Sequence, residues 1–461
     1  MRRSAVALID GEHYPPVVAD ALRQAADRFD FRAAVFLGGS EKIKSGDLQS
    51  EAGALYGLPV VFDADWSRGL RRAIEDYEPE VVVDLSDEPV LGYEERFRLI
   101  SESLARGVGY LGPGFHFSPA SSDRLCACPS LSIIGTGKRV GKTAVSGYVA
   151  RALQEVVTGQ KGGPAVVVVA MGRGGPAKPE VIEGESGRLT IADLLARSRQ
   201  GAHAASDYFE DALLSRVTTV GCRRCGAGMA GEPFFSNVRE GVERANALGP
   251  GLLVLEGSGA GLPPVASDAR LLVAGAHQPV EHLVGYLGTY RVLVSDAVVL
   301  TMAEEPLASA EKVRTLLERV GEVKPGITAV PVVLRPRPSE EVAGRKVAFF
   351  STAPAVQETT LRRFLEERWG CRVELFSPNL ADRAALRADF ERPEMTGVEL
   401  VLTEIKAAAI DVVAEMAEAR GLPVVPVDNL PLEVAPALPG RLAEVVRELA
   451  ERAEERFRSR A

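Results

Sequence analysis

Leu131-Ser-Ile-Ile134 runs directly into Gly135-Thr136-Gly137-Lys138-Arg139-Val140-Gly141-Lys142-Thr143, and a helical pattern with apolar residues at Val145, Val149, Leu153 and Val156 follows. Strand, glycine-rich turn and helix in that order make a phosphate-binding loop. Glycines let successive backbone N–H groups curl around phosphate oxygens, and the helix N-terminus adds a favourable dipole. In this reading Lys142 reaches the β- and γ-phosphates of ATP and the Thr143 hydroxyl ligates Mg2+. The spacing departs from the usual G-x-x-x-x-G-K-[ST] in one respect. Thr136 stands where the first glycine belongs, and Gly135 comes one residue earlier.

Outward from the loop, strand and helix patterns alternate almost from end to end, which predicts an α/β fold with mainly parallel sheets. Around the loop, Ala165–Ala170, Leu252–Leu255, Val292–Val294 and Val298–Leu300 read as strands. Their continuous aliphatic runs suit a sheet covered on both faces. Before it, Ala5–Ile9, Ala33–Leu37, Pro59–Phe62 and Val81–Leu85 alternate with helical patterns at Val17–Phe29 and Trp66–Tyr77. A helix near Tyr93–Arg106 and a strand at Gly109–Leu111 complete a Rossmann-like unit, and the turn-forming stretch Gly112–Pro119 ends it. Beyond the loop region, the polar, proline-containing Leu334–Gly344 reads as a linker. After it, strands at Val347–Phe350, Val373–Phe376, Glu399–Leu402 and Val424–Val427 alternate with helices at Val356–Trp369, Ile405–Arg420 and Leu442–Arg458. The expected organisation is a Rossmann-like domain at 1–125, a P-loop ATP-binding core at 126–336 and a smaller α/β domain at 345–461.

Composition narrows the function classes. With 461 residues, 46% hydrophobic and 25% charged, the chain is neither a disordered nor a collagen-like nor a disulfide-scaffold protein. No apolar run reaches the ~18–20 residues that span a bilayer. Ala5–Ile9 is too short for a signal-peptide core, and Asp10 interrupts it, so a cytoplasmic location is expected. A net charge of −9 without a basic tract argues against nucleic acid as a main partner. The five cysteines form no disulfide framework. Cys126-x-Cys128 and Cys222-x-x-Cys225 have the composition of a four-thiolate site. The two pairs lie far apart in the chain, and a glycine-rich loop that carries thiols is the preferred reading, so zinc is not expected.

Basic residues nevertheless gather at glycine-rich turns. Lys138 and Arg139 lie inside the loop, Arg173 follows a strand in Gly172-Arg-Gly-Gly-Pro176, and Arg223 and Arg224 sit in Gly221-Cys-Arg-Arg-Cys-Gly-Ala-Gly228. Arginine among glycines presents its fork to an anion while backbone amides approach it. The set therefore predicts a highly anionic second substrate. In the first domain, Asp10-Gly-Glu12-His13 follows the first strand and Gly38-Gly-Ser-Glu-Lys42 the second, both at the rim where such sheets bind ligands.

The loop form G-T-x-x-x-V-G-K-T resembles that of dethiobiotin synthetase and the related cobyrinic and cobyric acid synthetases. In that group an E-G-x-G element follows a hydrophobic strand and its glutamate ligates Mg2+. Glu256 of Leu255-Glu-Gly-Ser-Gly-Ala-Gly261 stands at the matching position, with Asp193 or Asp207 as the third ligand. Over its first two thirds the chain resembles the cyclic 2,3-diphosphoglycerate synthetase family. The segments that carry this are Leu8–Val18 (LIDGEHYPPVV), Gly135–Thr143, Ala170–Pro176 (AMGRGGP), His203–Leu213, Gly221–Gly231, Leu255–Gly261 and Ser295–Pro306. The resemblance implies that Mg2+ and ATP drive 2,3-diphosphoglycerate to its cyclic form, with release of ADP and phosphate and with K+ as a further candidate ion. Lys142 and Lys138 would stabilise the transferred phosphoryl group. Arg173, Arg223 and Arg224 would hold the diphosphoglycerate, with Asp10, Glu12, His13 and Lys42 closing the site from the first domain. A cytoplasmic homodimer acting on small molecules, with no nucleic-acid or membrane partner, completes the expectation. Two rivals stay open: another ligase of the dethiobiotin or cobyrinate type, and a partition-type ATPase switch. Against the cobyrinate type, Cys371 precedes a strand instead of occupying a strand-to-helix elbow.

Overall fold

The structure, a computed structural model, describes residues 2–39, 41–42, 48–121, 123–184, 189–201 and 204–460. The chain folds into two compact units, the first of which joins residues 1–122 to Pro279–Val294 and Arg319–Pro325. Its strands are β1 (Arg3–Ile9), β2 (Phe29–Phe36), β3 (Val60–Phe62), β4 (Val81–Asp84), β5 (Gly109–Gly112) and β6 (Phe115–Phe117), in the order β3-β2-β1-β4-β5-β6. All pair in parallel except β5 with β6, because the turn-forming stretch after Gly112 makes a hairpin. Two expectations need correction here. The first helix covers only Pro15–Gln24, followed by one 3-10 turn, because Phe29 is buried at the start of β2 opposite Arg3. Val292–Val294 is not a strand. It lies at the end of a helix, Gly288–Leu293, packed on the helix Tyr93–Ala105. An aliphatic triplet carries no periodicity of its own, so packing decides its state.

The second unit comprises Asp123–Gln278, Ser295–Glu318 and Gly326–Ala461. Its strands are β7 (Ser130–Gly135), β8 (Val166–Gly172), β9 (Glu180–Ile182), β10 (Thr218–Cys225), β11 (Phe235–Ser236), β12 (Leu252–Glu256), β13 (Ala269–Gly275), β14 (Ala297–Thr301), β15 (Thr328–Pro338), β16 (Lys346–Phe350), β17 (Arg372–Ser377), β18 (Leu400–Thr403) and β19 (Val424–Glu433). They form one 13-stranded sheet, β11-β10-β8-β12-β7-β13-β14-β15-β19-β18-β16-β17, with β9 paired to β10. The segment from β10 through β15 is parallel, so its strands end on one edge. The stretch read as a linker starts inside β15. That strand pairs with β14 through Thr328–Pro331 and antiparallel with β19 through Val332–Pro338. Prolines at 331, 336 and 338 lack N–H donors, yet the remaining donors and carbonyls are enough to continue the ladder. A shared core seals the join: Val145, Val149 and Leu153 pack with Ile405, Ile410, Leu442, Val446 and Leu449.

The helix Arg441–Ser459 is also held by charge. Asp296 accepts the Arg270 N–H at 2.9 Å and guanidinium N–H groups of Arg452 and Arg456 at 2.8–3.2 Å. Although burial opposes its charge, these donors hold the Asp296 carboxyl below its ordinary value. Its stabilisation is therefore full above that ordinary value and is lost as pH falls through the lower folded value. Asp296→Asn is expected to cost about 1–2 kcal/mol at pH 7, since both arginines are half-exposed and screened. Urea unfolding should show the gap between variant and parent narrowing below about pH 4.

Candidate active site

β7 lies between β12 and β13, so the phosphate loop opens at the middle of the parallel edge. Gly135 packs so closely that a Cβ there would lie 2.9 Å from the Gly259 carbonyl oxygen. Arg139 and Gly141 take left-handed backbone, at φ 61° and 77°, which turns the chain into the helix Lys142–Gln154. Thr136 is accommodated in place of a glycine because its side chain turns outward. Its hydroxyl donates to Gln278 Oε1 at 2.6 Å, and its N–H to the Val273 carbonyl at 3.1 Å. Val140 is buried, and its carbonyl accepts the Thr301 hydroxyl at 2.7 Å. Lys138 and Arg139 are exposed at the loop tip.

Lys142 is buried, and its Nζ donates to Glu256 Oε1 at 2.7 Å. Glu256 ends β12, beside Ile133 of β7 and Ala170 of β8. Burial pushes its carboxyl up against the pull of Lys142, and burial would lower Lys142, but the Glu256, Asp207 and Asp211 carboxylates together hold it above its ordinary value. The second oxygen, Glu256 Oε2, is buried without a hydrogen-bond partner among the described residues, as is Asp211 Oδ2. Asp211 stands within hydrogen-bonding reach of Glu256, and burial followed by the Glu256 charge drives its carboxyl well above the usual range. A buried carboxylate oxygen without a donor is costly, so the pair suits a proton or a cation between them. Mg2+ fits that chemistry, since it takes one or two carboxylates and completes its shell with water and phosphate oxygens. Among the described residues no group of three or more His, Cys, Asp or Glu forms a metal cage by itself.

Of the two aspartates left open for the third ligand, Asp207 is half-buried and its charge acts on Lys142, Glu256 and Asp211. Asp193 is committed elsewhere. It forms a capping box with Thr190, taking that residue's N–H and hydroxyl at 2.9 and 2.6 Å. The reach of Asp211 went unread in the sequence, because a wide π turn over Asp211–Ser215 sets its direction. His203, quoted among the family segments, lies outside the described residues.

Arginines line the same edge. Gly259, with φ +59°, follows Glu256 by three residues, and a Cβ there would lie 2.7 Å from Arg173 Nη2 and 3.6 Å from Arg224 Nη2. Arg224 also donates from Nη2 to the Ser258 carbonyl at 2.8 Å. Burial, then the neighbouring Arg173 charge, lowers the Arg224 guanidinium below its ordinary value. Arg223 does not join them. Gly221–Cys225 is strand β10 and not a turn, so Arg223 and Arg224 point to opposite faces. Arg223 stands over the Phe235 ring at 5.8 Å. Among the described residues Lys138, Arg139, Arg173, Arg223 and Arg224 make no ion pair. Cys126, Cys128 and Cys222 are buried in an apolar cluster, where burial pushes their thiols up to about 11, 12 and 12, while Cys225 is exposed.

In the first unit, Asp10, Glu12 and His13 after β1 share one rim with Lys42 after β2, beside the point where the strand order reverses. Asp10 is buried and accepts N–H groups of Glu12, His13 and Asp87 at 3.0, 3.2 and 2.7 Å. His13 bridges Asp10 through Nδ1 at 2.9 Å and Asp87 through Nε2 at 3.2 Å. Burial would lower that imidazole, but the two carboxylates hold it above its ordinary value. Lys42 pairs with Glu41 and its N–H donates to the Gly11 carbonyl at 3.0 Å. Ser40 of the same turn lies outside the described residues.

A parallel sheet with a strand–loop–helix phosphate cradle on its central strand defines the class, a P-loop enzyme that uses a nucleotide. Three sequence models of cyclic 2,3-diphosphoglycerate synthetase match in series: the N-terminal domain over residues 4–118, the P-loop domain over 130–333 and the C-terminal domain over 338–430. A protein named cyclic 2,3-diphosphoglycerate synthetase from Rubrobacter xylanophilus is 52% identical over 442 residues, covering 95% of this chain and 96% of its own. One of the same name from Methanothermus fervidus is 41% identical over 463 residues, covering 99% of each. The chain belongs to the cyclic 2,3-diphosphoglycerate synthetase family and is an ATP-dependent enzyme of that ligase type. Among solved structures, a hydrogenase maturation factor HypB from Archaeoglobus fulgidus is similar at 12% identity and a TM-score of 0.27, over 45% of this chain and 81% of that one. Among the described residues no helix is long and apolar enough to cross a membrane.

Proposed function

We propose that the chain closes 2,3-diphosphoglycerate to its cyclic phosphoanhydride, using ATP and releasing ADP and phosphate. The observation that carries this reading is the set of cations, Lys138, Arg139, Arg173 and Arg224, that among the described residues make no ion pair with a carboxylate around a phosphate loop, in a chain whose net charge is −9. Joining two phosphate dianions is opposed by charge and uphill, so one must first be activated. A phosphate oxygen of the substrate attacks the γ-phosphorus of ATP, and the bond to the bridging oxygen breaks to give ADP. The second substrate phosphate then attacks the inner phosphorus of the new pyrophosphoryl group and expels inorganic phosphate. No general base is needed, since the attacking oxygens are already ionised at neutral pH.

The protein's part is positioning and charge. Nucleotide phosphates take Lys142 from Glu256, and that carboxylate is then free to act with Thr143. Thr143, Glu256 and Asp207 would hold Mg2+, which neutralises charge on the β- and γ-phosphates. Lys138 reaches over from the loop tip, while Arg173 and Arg224 hold the diphosphoglycerate. The reading includes a cytoplasmic homodimer, which sedimentation equilibrium and cell fractionation test, and K+ as an accompanying ion. The reaction itself is tested by phosphorus NMR with Mg-ATP and 2,3-diphosphoglycerate in potassium salt. An upfield phosphoanhydride signal with stoichiometric ADP and phosphate is expected. ATP hydrolysis indifferent to diphosphoglycerate would overturn it.

A further inference from the structure

The acidic helix Asp207–Glu210 continues into the π turn Asp211–Ser215, whose ladder holds one extra residue. Glu210 and Asp211 are both buried. Asp211 acts on Glu256 and Lys142, whereas Glu210 meets the C-terminal part of the unit. There Glu210 Oε1 pairs with Lys406 Nζ at 3.2 Å, and Glu210 Oε2 is buried without a partner. Lys406 follows β18 and precedes a second π turn, Ala409–Ala414. Its ammonium also feels Glu404 and Asp207. Glu404 is in turn fixed by the Thr352 N–H and hydroxyl at 2.9 and 2.7 Å and by the Asn429 amide at 2.7 Å.

One lysine is thus the bound counter-charge between two segments that each run into a π turn, Asp211–Ser215 after Glu210 and Ala409–Ala414 beyond Lys406. The packing continues to the phosphate loop's own helix. A Cβ at Gly147 would lie 2.6 Å from Ser215 Oγ, so the π turn and that helix touch without slack. We propose that Lys406 is a positioning residue for nucleotide chemistry: it ties the acidic turn Asp207–Asp211 to the C-terminal segment and thereby holds Asp207 and Asp211 toward Lys142 and Glu256. This role rests on the phosphate loop being the site of ATP binding. It gives the C-terminal segment a part in the site without a substrate contact of its own. Lys406 pairs with Glu210, which the chain places beside Asp207 and Asp211, and removing a group that orients a metal-binding carboxylate typically weakens the metal about 10–100-fold.

The test is calorimetric binding of ADP to the full chain, in Mg2+ and in EDTA. The readout is the factor by which Mg2+ tightens ADP. Lys406→Met is expected to lower that factor at least about tenfold while leaving ADP affinity in EDTA unchanged, and Lys406→Arg to restore most of it. A purely structural tie would shift melting temperature and leave the factor alone. A factor unchanged or raised in Lys406→Met overturns the proposal. If that variant does not fold, Glu210→Gln takes its place, and an unchanged factor there overturns it equally. Wild-type protein that fails to bind ADP overturns the phosphate-loop reading and this role with it. Normal wild-type binding with indistinguishable variants overturns this role alone.

Discussion

Lys142→Ala is expected to lower ADP formation by about 10³-fold or more, because a cation that meets the transferring phosphoryl group contributes on that scale. Its removal leaves Glu256 buried without the Lys142 donor. Breaking a buried pair costs about 3–5 kcal/mol when the remaining charge persists. Here burial already drives the Glu256 carboxyl upward, so it takes a proton and the loss is smaller. The double variant Lys142→Ala with Glu256→Gln should therefore regain stability without regaining ADP formation. Melting curves and a coupled ADP assay on both variants separate the two effects. ADP release at the parental rate in Lys142→Ala would remove the loop from the chemistry.

Arg173→Ala and Arg224→Ala should each raise KM for 2,3-diphosphoglycerate about 10–100-fold, with KM for ATP little changed. A charge-assisted hydrogen bond to phosphate contributes about 1.5–3 kcal/mol, and each 1.4 kcal/mol is tenfold. Like charges converge at Gly259 in the protein alone, where burial, then the Arg173 charge, lowers the Arg224 guanidinium. Truncating Arg173 should leave ligand-free stability equal or higher, the reverse of what a structural arginine would show, whereas Arg224→Ala also gives up its bond to the Ser258 carbonyl. Arg223→Ala is the internal control, since that side chain leaves β10 on the other face, over Phe235. Steady-state kinetics with each substrate varied in turn decides the matter. Equal effects of all three arginines, or a shift in ATP instead, would count against the assignment.

Much of this was legible in the chain. The loop, its helix and the α/β class followed from glycine placement and periodicity. Glu256 was readable as a carboxylate at a strand end. Other features were obscured by local composition. Cys222-Arg-Arg-Cys225, flanked by glycines, reads as a turn, yet it is the end of strand β10, with Cys222 and Arg223 paired in parallel to β8 and Arg224 and Cys225 antiparallel to β11. As a strand its period of two separates Arg223 from Arg224. Leu334–Pro338 reads as a linker because prolines dominate it, and only its pairing with β19 makes it a strand.

What the sequence alone determined is the local chemistry: a backbone able to wrap phosphate, a lysine and hydroxyl at its end, and arginines among glycines. These depend on residues close in the chain, where conformational preference and spacing suffice. Tertiary structure decided which distant groups share the site. Asp211 joined it through an extra residue in a helix turn, Asp193 was withdrawn into a helix cap, and Lys406 was brought to Glu210 from the far end of the chain. Such partners are chosen by burial, since a charge removed from water must find its counter-charge wherever the fold has placed one.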